Sequence, residues 1–145
     1  MRTLEACLHF DGNCREVLDF YRSVFGGDHL ILQTFGDGSP DMVVPESEHH
    51  KIMHATLNVG DGILMGSDIP TNMADCIRLS LVVGNNISLS YSPPSKADTN
   101  ELFAKLSARD KVTMPPREIF WGTYFGTCTD RFGIHWQLNC NPSQG

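Results

Sequence analysis

The chain has 145 residues, 41% hydrophobic and 19% charged, enough for one ordinary domain with a real core and too apolar for wholesale disorder. Its formal net charge of −6, with Lys and Arg scattered rather than clustered, excludes a nucleic-acid surface, because phosphate recognition wants grouped cations. No apolar run approaches membrane-spanning length and the opening residues lack the charged-then-apolar pattern of a secretory leader, so no membrane partner is expected.

Leu4 to Phe10 alternates strictly: Leu4, Ala6, Leu8 and Phe10 share one face, and Glu5, Cys7 and His9 share the other, which predicts a strand. The period then becomes helical. Val17, Phe20, Tyr21, Val24 and Phe25 make one stripe, Asn13 is placed to cap the first turn, and Gly26-Gly27 end the helix. Leu30 to Phe35 is a short strand, and Gly36–His50 a loop ending in His49-His50. Ile52–Val59 and Ile63–Ser67 are strands joined by the tight turn Gly60-Asp61-Gly62. Ile77–Val83 reads as a strand or a connector.

Asn86–Tyr91 then alternates again, Ser92-Pro93-Pro94-Ser95 breaks the chain and starts a helix, and Leu102, Phe103 and Leu106 give that helix its apolar stripe. Lys111–Met114, Phe120–Thr127 and Ile134–Asn139 supply three more strands, with Asp130-Arg131-Phe132-Gly133 as the last turn. The order β-α-β-β-β thus occurs twice. The expected fold class is α+β: two βαβββ units, approximately 1–68 and 84–141, joined by a connector over 69–83. Each unit leaves one sheet face uncovered and needs a neighbour.

If the apolar strand faces cover the helices, the opposite faces carry Glu5, Cys7 and His9 from the first strand, His54, Thr56 and Asn58 from the third, and His135, Gln137 and Asn139 from the last. Such a row of hydrogen-bonding and metal-binding groups fits a ligand pocket. Polar alternation also marks the wetted face of an antiparallel sheet. Alternation places Trp121 and Phe125 on one face, Phe120 and Tyr124 on the other. An aromatic wall beside polar groups suits a small planar or amphipathic ligand, and equally suits core packing. Five cysteines without a CxxC pair disfavour a disulfide framework or zinc knuckle, and the expectation is a reduced, cytoplasmic protein in which Cys7 and Cys128 are small structural hydrophobes. No phosphate loop, GxSxG elbow or HExxH helix is present in the sequence.

Three segments carry a family resemblance: LEACLHFDGNCREVLDFYRSVFGG (4–27), KIMHATLNVGDGILMGSD (51–68) and KVTMPPREIFWGTYFGTCTDRFGIHWQLN (111–139). Together they resemble the PhnB-like branch of the vicinal-oxygen-chelate superfamily of glyoxalases, bleomycin-resistance proteins and ring-cleaving dioxygenases. The resemblance implies that the paired units form an incomplete barrel around a pocket, often completed in a homodimer. It also implies metal ligands on the first and last strands of each unit. Those positions fall on Glu5 and Gly66 in unit one, and on Asn86 and Gln137 in unit two.

One carboxylate, two amides and a glycine are poor ligands for a divalent transition metal. A displaced site built from Glu5 with His9, His54 and His135 would suit Zn or Fe(II) if those side chains converge. Two readings follow. The first is a small-molecule-binding protein with a degraded metal site, whose ligand is held by Glu5, Cys7, His9, His54, Trp121, Phe125, His135 and Gln137. The second is an isomerase, epimerase or dioxygenase that uses Zn, Fe, Mn or Mg on a substrate with vicinal oxygens. A phosphonate ligand would want converging Arg or Lys; Arg78 and Arg117 are candidates only by default, so no phosphonate substrate is expected.

Overall fold

Val17, Leu18, Tyr21 and Val24 recur at helical spacing and all are buried along one side of the first helix, α1 (Cys14–Phe25). The computed structural model describes residues 4–27, 30–37, 45–70, 81–107, 111–120 and 122–141. It divides into two compact units, Met1–Val82 and Val83–Gly145.

In the first unit, β1 (Ala6–Phe10), β2 (Leu30–Thr34), β3 (Ile52–Val59) and β4 (Gly62–Asp68) form one open sheet in the order β1-β4-β3-β2. β1 runs parallel to β4, and the other neighbours are antiparallel. Phe10, Ile52, Ala55, Leu57 and Leu64 pack with the buried stripe of α1 to make the core. The helix approaches so closely that a Cβ on Gly66 would stand 3.0 Å from both Cys14 Sγ and Leu18 Cδ2.

The second unit repeats the plan. β5 (Leu89–Tyr91), α2 (Lys96–Leu106), β6 (Val112–Glu118), β7 (Tyr124–Thr129) and β8 (His135–Cys140) give a sheet ordered β5-β8-β7-β6, with β5 parallel to β8. Phe103 and Leu106 from α2 are buried together with Cys128, Trp136, Leu138 and Cys140 from the sheet. The expected α+β class and the repeated βαβββ order are therefore both present.

Several details differ from expectation for identifiable reasons. Asn13 makes no side-chain cap. The buried carboxylate of Asp68 takes its place: Oδ1 accepts from the backbone N–H of Gly12 at 3.0 Å and of Cys14 at 2.9 Å, and Oδ2 from that of Ile52 at 2.8 Å. β5 begins at Leu89 rather than Asn86, because only Leu89–Tyr91 finds partners on β8. β6 runs on through Pro115-Pro116 to Glu118, which an edge strand with register shifts tolerates. β7 begins at Tyr124, since Thr123 N–H donates to the Phe120 carbonyl and turns the chain there. Of the segment 77–83, residues 77–80 lie outside the described residues, and 81–83 are not strand.

Candidate functional site

Burial parity separates the two faces of each sheet. In β4, Leu64, Gly66 and Asp68 are buried toward α1, which turns Ile63, Met65 and Ser67 to the opposite, open face. Cys7 and His9 lie on that face from β1, and Thr56 and Asn58 from β3, beside His54. Glu5 precedes β1 with the same parity. Unit one thus brings Cys7, His9 and His54 onto one surface, and Ser67 joins them there.

Pairing corrects one ligand position. Aligning Glu5 with Asn86 sets Leu8 on Leu89; Leu8 pairs with Gly66 and Leu89 with Trp136. Ser67, not Gly66, therefore corresponds to Gln137, and Gly66 faces the helix. His9 Nδ1 is 2.9 Å from Ser67 Oγ. Cys7 is exposed rather than core, because it shares parity with His9 and not with Leu8. Partial burial pushes its thiol above its ordinary value, and a hydrogen bond with Ser67 pulls the other way. A protonated thiol is a weak nucleophile.

His54 Nε2 lies 3.0 Å from Thr56 Oγ1. In unit two, His135 uses both ring nitrogens: Nε2 donates to the Gly84 carbonyl at 3.0 Å, and Nδ1 meets Thr129 Oγ1 at 2.8 Å. This imidazole fastens the residues preceding β5 to β8.

The open face of sheet two carries His135, Gln137 and Asn139 from β8, alternating with buried Trp136, Leu138 and Cys140. Beside them stand Phe125, Thr127 and Thr129 from β7, and Ser90 next to Gln137. Arg117 pairs with Phe125 from the edge strand β6. Trp121 lies outside the described residues. Tyr124 turns to the helix side, donating its hydroxyl to Asn100 Oδ1 at 2.7 Å.

Within neither unit, among the described residues, do three or more His, Cys, Asp and Glu side chains gather closely enough to hold a metal ion. Sequence reasoning missed Ser67 and Arg117 as members of these faces. The signal for Ser67 is the parity of β4 counted from Leu64; for Arg117 it is the extent of β6, which the two prolines obscure.

A family model described as 3-demethylubiquinone-9 3-methyltransferase matches residues 2–139. Protein YjdN of Escherichia coli (strain K12) is 27% identical over 151 residues, with 97% of each chain covered. Protein PA1353 from Pseudomonas aeruginosa has a crystal structure 37% identical to this chain, with a TM-score of 0.74 and coverage of 96% of this chain and 98% of that one. A putative 3-demethylubiquinone-9 3-methyltransferase, PhnB protein, from Bacillus cereus is 22% identical with a TM-score of 0.69, covering 96% and 99% of the respective chains. By the match along nearly its whole length, the chain belongs to the 3-demethylubiquinone-9 3-methyltransferase family in its PhnB-like form, with the fold of glyoxalase/bleomycin-resistance/dioxygenase proteins.

Proposed function

We propose that this protein binds a small molecule on the open sheet faces, and that the metal site of its superfamily is degraded in it. The observation that carries the reading is the donor set at the four ligand positions, which with the corrected register is Glu5, Ser67, Asn86 and Gln137. One carboxylate, a hydroxyl and two amides do not suit Zn or Fe(II), which favour imidazole, thiolate or several carboxylates. His135 supports the same reading, since its nitrogens are spent on Gly84 and Thr129. What remains on both faces is hydrogen-bonding and aromatic surface of the kind that orients an organic ligand. A homodimer in the cytoplasm belongs to this reading.

The family description names methyl transfer. Among the described residues, each sheet is four mixed strands with one helix on one face, and the β1–α1 turn holds a single glycine, Gly12. These features do not fit a nucleotide-type methyl donor, which open parallel sheets bind above glycine-rich turns.

Elemental analysis of the purified protein tests the proposal. Sub-stoichiometric metal, and a melting temperature unmoved by chelator, are expected. Stoichiometric divalent metal that is lost in both Glu5→Ala and His54→Ala would overturn it in favour of the metal-dependent enzyme.

A further inference from the structure

Adjacent residues of the β6–β7 pair present the same combination of groups to opposite faces of sheet two, and only one of the two is complete. Toward α2, Glu118 pairs with Tyr124, Lys96 forms an ion pair with Glu118, and the Lys96 ammonium lies 5.6 Å from the Tyr124 ring centroid. Cation, carboxylate and aromatic ring are all present there. On the open face the next pair along is Arg117 with Phe125. Cation and ring recur, but among the described residues the Arg117 guanidinium makes no ion pair and no side-chain hydrogen bond.

The missing member is a carboxylate. The groups beside this pair are uncharged hydrogen-bonders: Asn139 stands next to Phe125, and Thr127 next to Gln137, which in turn neighbours Ser90. Residues opposed across an antiparallel pair have Cβ atoms only about 5 Å apart, so one small ligand spans Arg117, Phe125 and Asn139. A guanidinium takes a carboxylate in two parallel hydrogen bonds, which fixes the plane of the bound group. In a chain of net charge −6, an unpaired cation on a sheet face also gives an anion its local point of attraction.

We infer that the open face of unit two recognises a small aromatic carboxylate. Its carboxylate pairs with Arg117, its ring packs on Phe125, and the amides of Asn139 and Gln137 read its polar substituents. The inference rests on the binding reading above and names the ligand class for it.

Amide NMR of the full chain, titrated with benzoate and with its neutral counterpart benzamide, separates the two levels. Benzoate is expected to shift signals of β7 and β8, with benzamide binding at least about tenfold more weakly, the usual effect of losing a charge-assisted hydrogen bond. Arg117→Gln should weaken benzoate at least about tenfold and leave benzamide unchanged, and Arg117→Lys, which keeps charge but not the fork, should fall between. Equal affinity for the two compounds, or a benzoate affinity untouched in both variants, overturns the carboxylate assignment and leaves the binding reading standing. If neither compound moves any β7 or β8 signal, the binding reading fails for this face, and the carboxylate assignment with it. The wild-type comparison of the two compounds decides the matter even if a variant does not fold.

Discussion

Two buried carboxylates organise the units, each by accepting hydrogen bonds from several N–H groups at once. Asp68 gathers the N–H groups of Gly12, Cys14 and Ile52, which belong to the β1–α1 turn, the helix start and the start of β3. Asp130 accepts from Phe132 N–H at 2.9 Å and Ile134 N–H at 3.1 Å, and its other oxygen accepts from Trp136 Nε1 at 2.9 Å. Removing such an acceptor strands buried donors, so Asp68→Ala should cost roughly 3 kcal/mol, read as a lower urea midpoint at unchanged slope. A loss under about 0.5 kcal/mol would show that water replaces the carboxylate. Neither role is written in local sequence. Asn13 has the right chemistry in the right place for a cap, yet the group that caps α1 arrives from 54 residues away.

At the scale of elements, the two helices start by different means, and this gives a paired test. Ser95 is a local cap: its Oγ accepts from Asp98 N–H at 3.0 Å and donates to Asp98 Oδ2 at 2.8 Å. Ser95→Ala should therefore destabilise by about 1 kcal/mol, while Asn13→Ala stays within about 0.5 kcal/mol. Equal losses in denaturant titrations of the two variants would contradict the assignment. Gly66→Ala probes the other tight junction. Its new methyl meets Cys14 and Leu18 at 3.0 Å, and overpacking of that kind costs about 1–3 kcal/mol. Existence and order of the elements were legible in the sequence because the apolar period switches cleanly between 2 and 3.6, as in Leu4–Phe10 followed by Val17–Phe25. Register was not legible. The parallel pairing of β1 with β4 joins residues more than fifty apart, and it alone moves the ligand position from Gly66 to Ser67. Parity did place Cys7, His9, Gln137 and Asn139 on open faces, while the free guanidinium of Arg117 required knowing where β6 ends.

For the whole molecule, buried thiols set the alkaline limit of stability. Burial first, then the nearby Asp68 and Cys7, push the Cys14 thiol from its ordinary 9.0 up to about 12. Burial, then Asp130, push Cys128 up to about 11. Between about pH 9 and 12 the folded chain therefore holds protons that the unfolded chain has released. Stability contributed by these thiols is intact below pH 9 and falls as pH rises through that window. Cys14→Ala should show a shallower alkaline fall than the wild type when unfolding free energy is measured against pH; an identical slope would place the titration elsewhere.

The route taken by Asp68 also constrains the order in which the first unit is assembled during synthesis. Among the described residues β1 has one strand neighbour, β4, and the N-terminus of α1 has its cap on the last residue of that same strand. The strand neighbour of β1 and the cap of α1 are thus made last in this unit, after β2 and β3 have been added. A nascent chain that stops short of Asp68 has β2 and β3 but lacks the cap of α1 and the partner of β1, so the contacts that join its first elements to the sheet are of long sequence separation and close late.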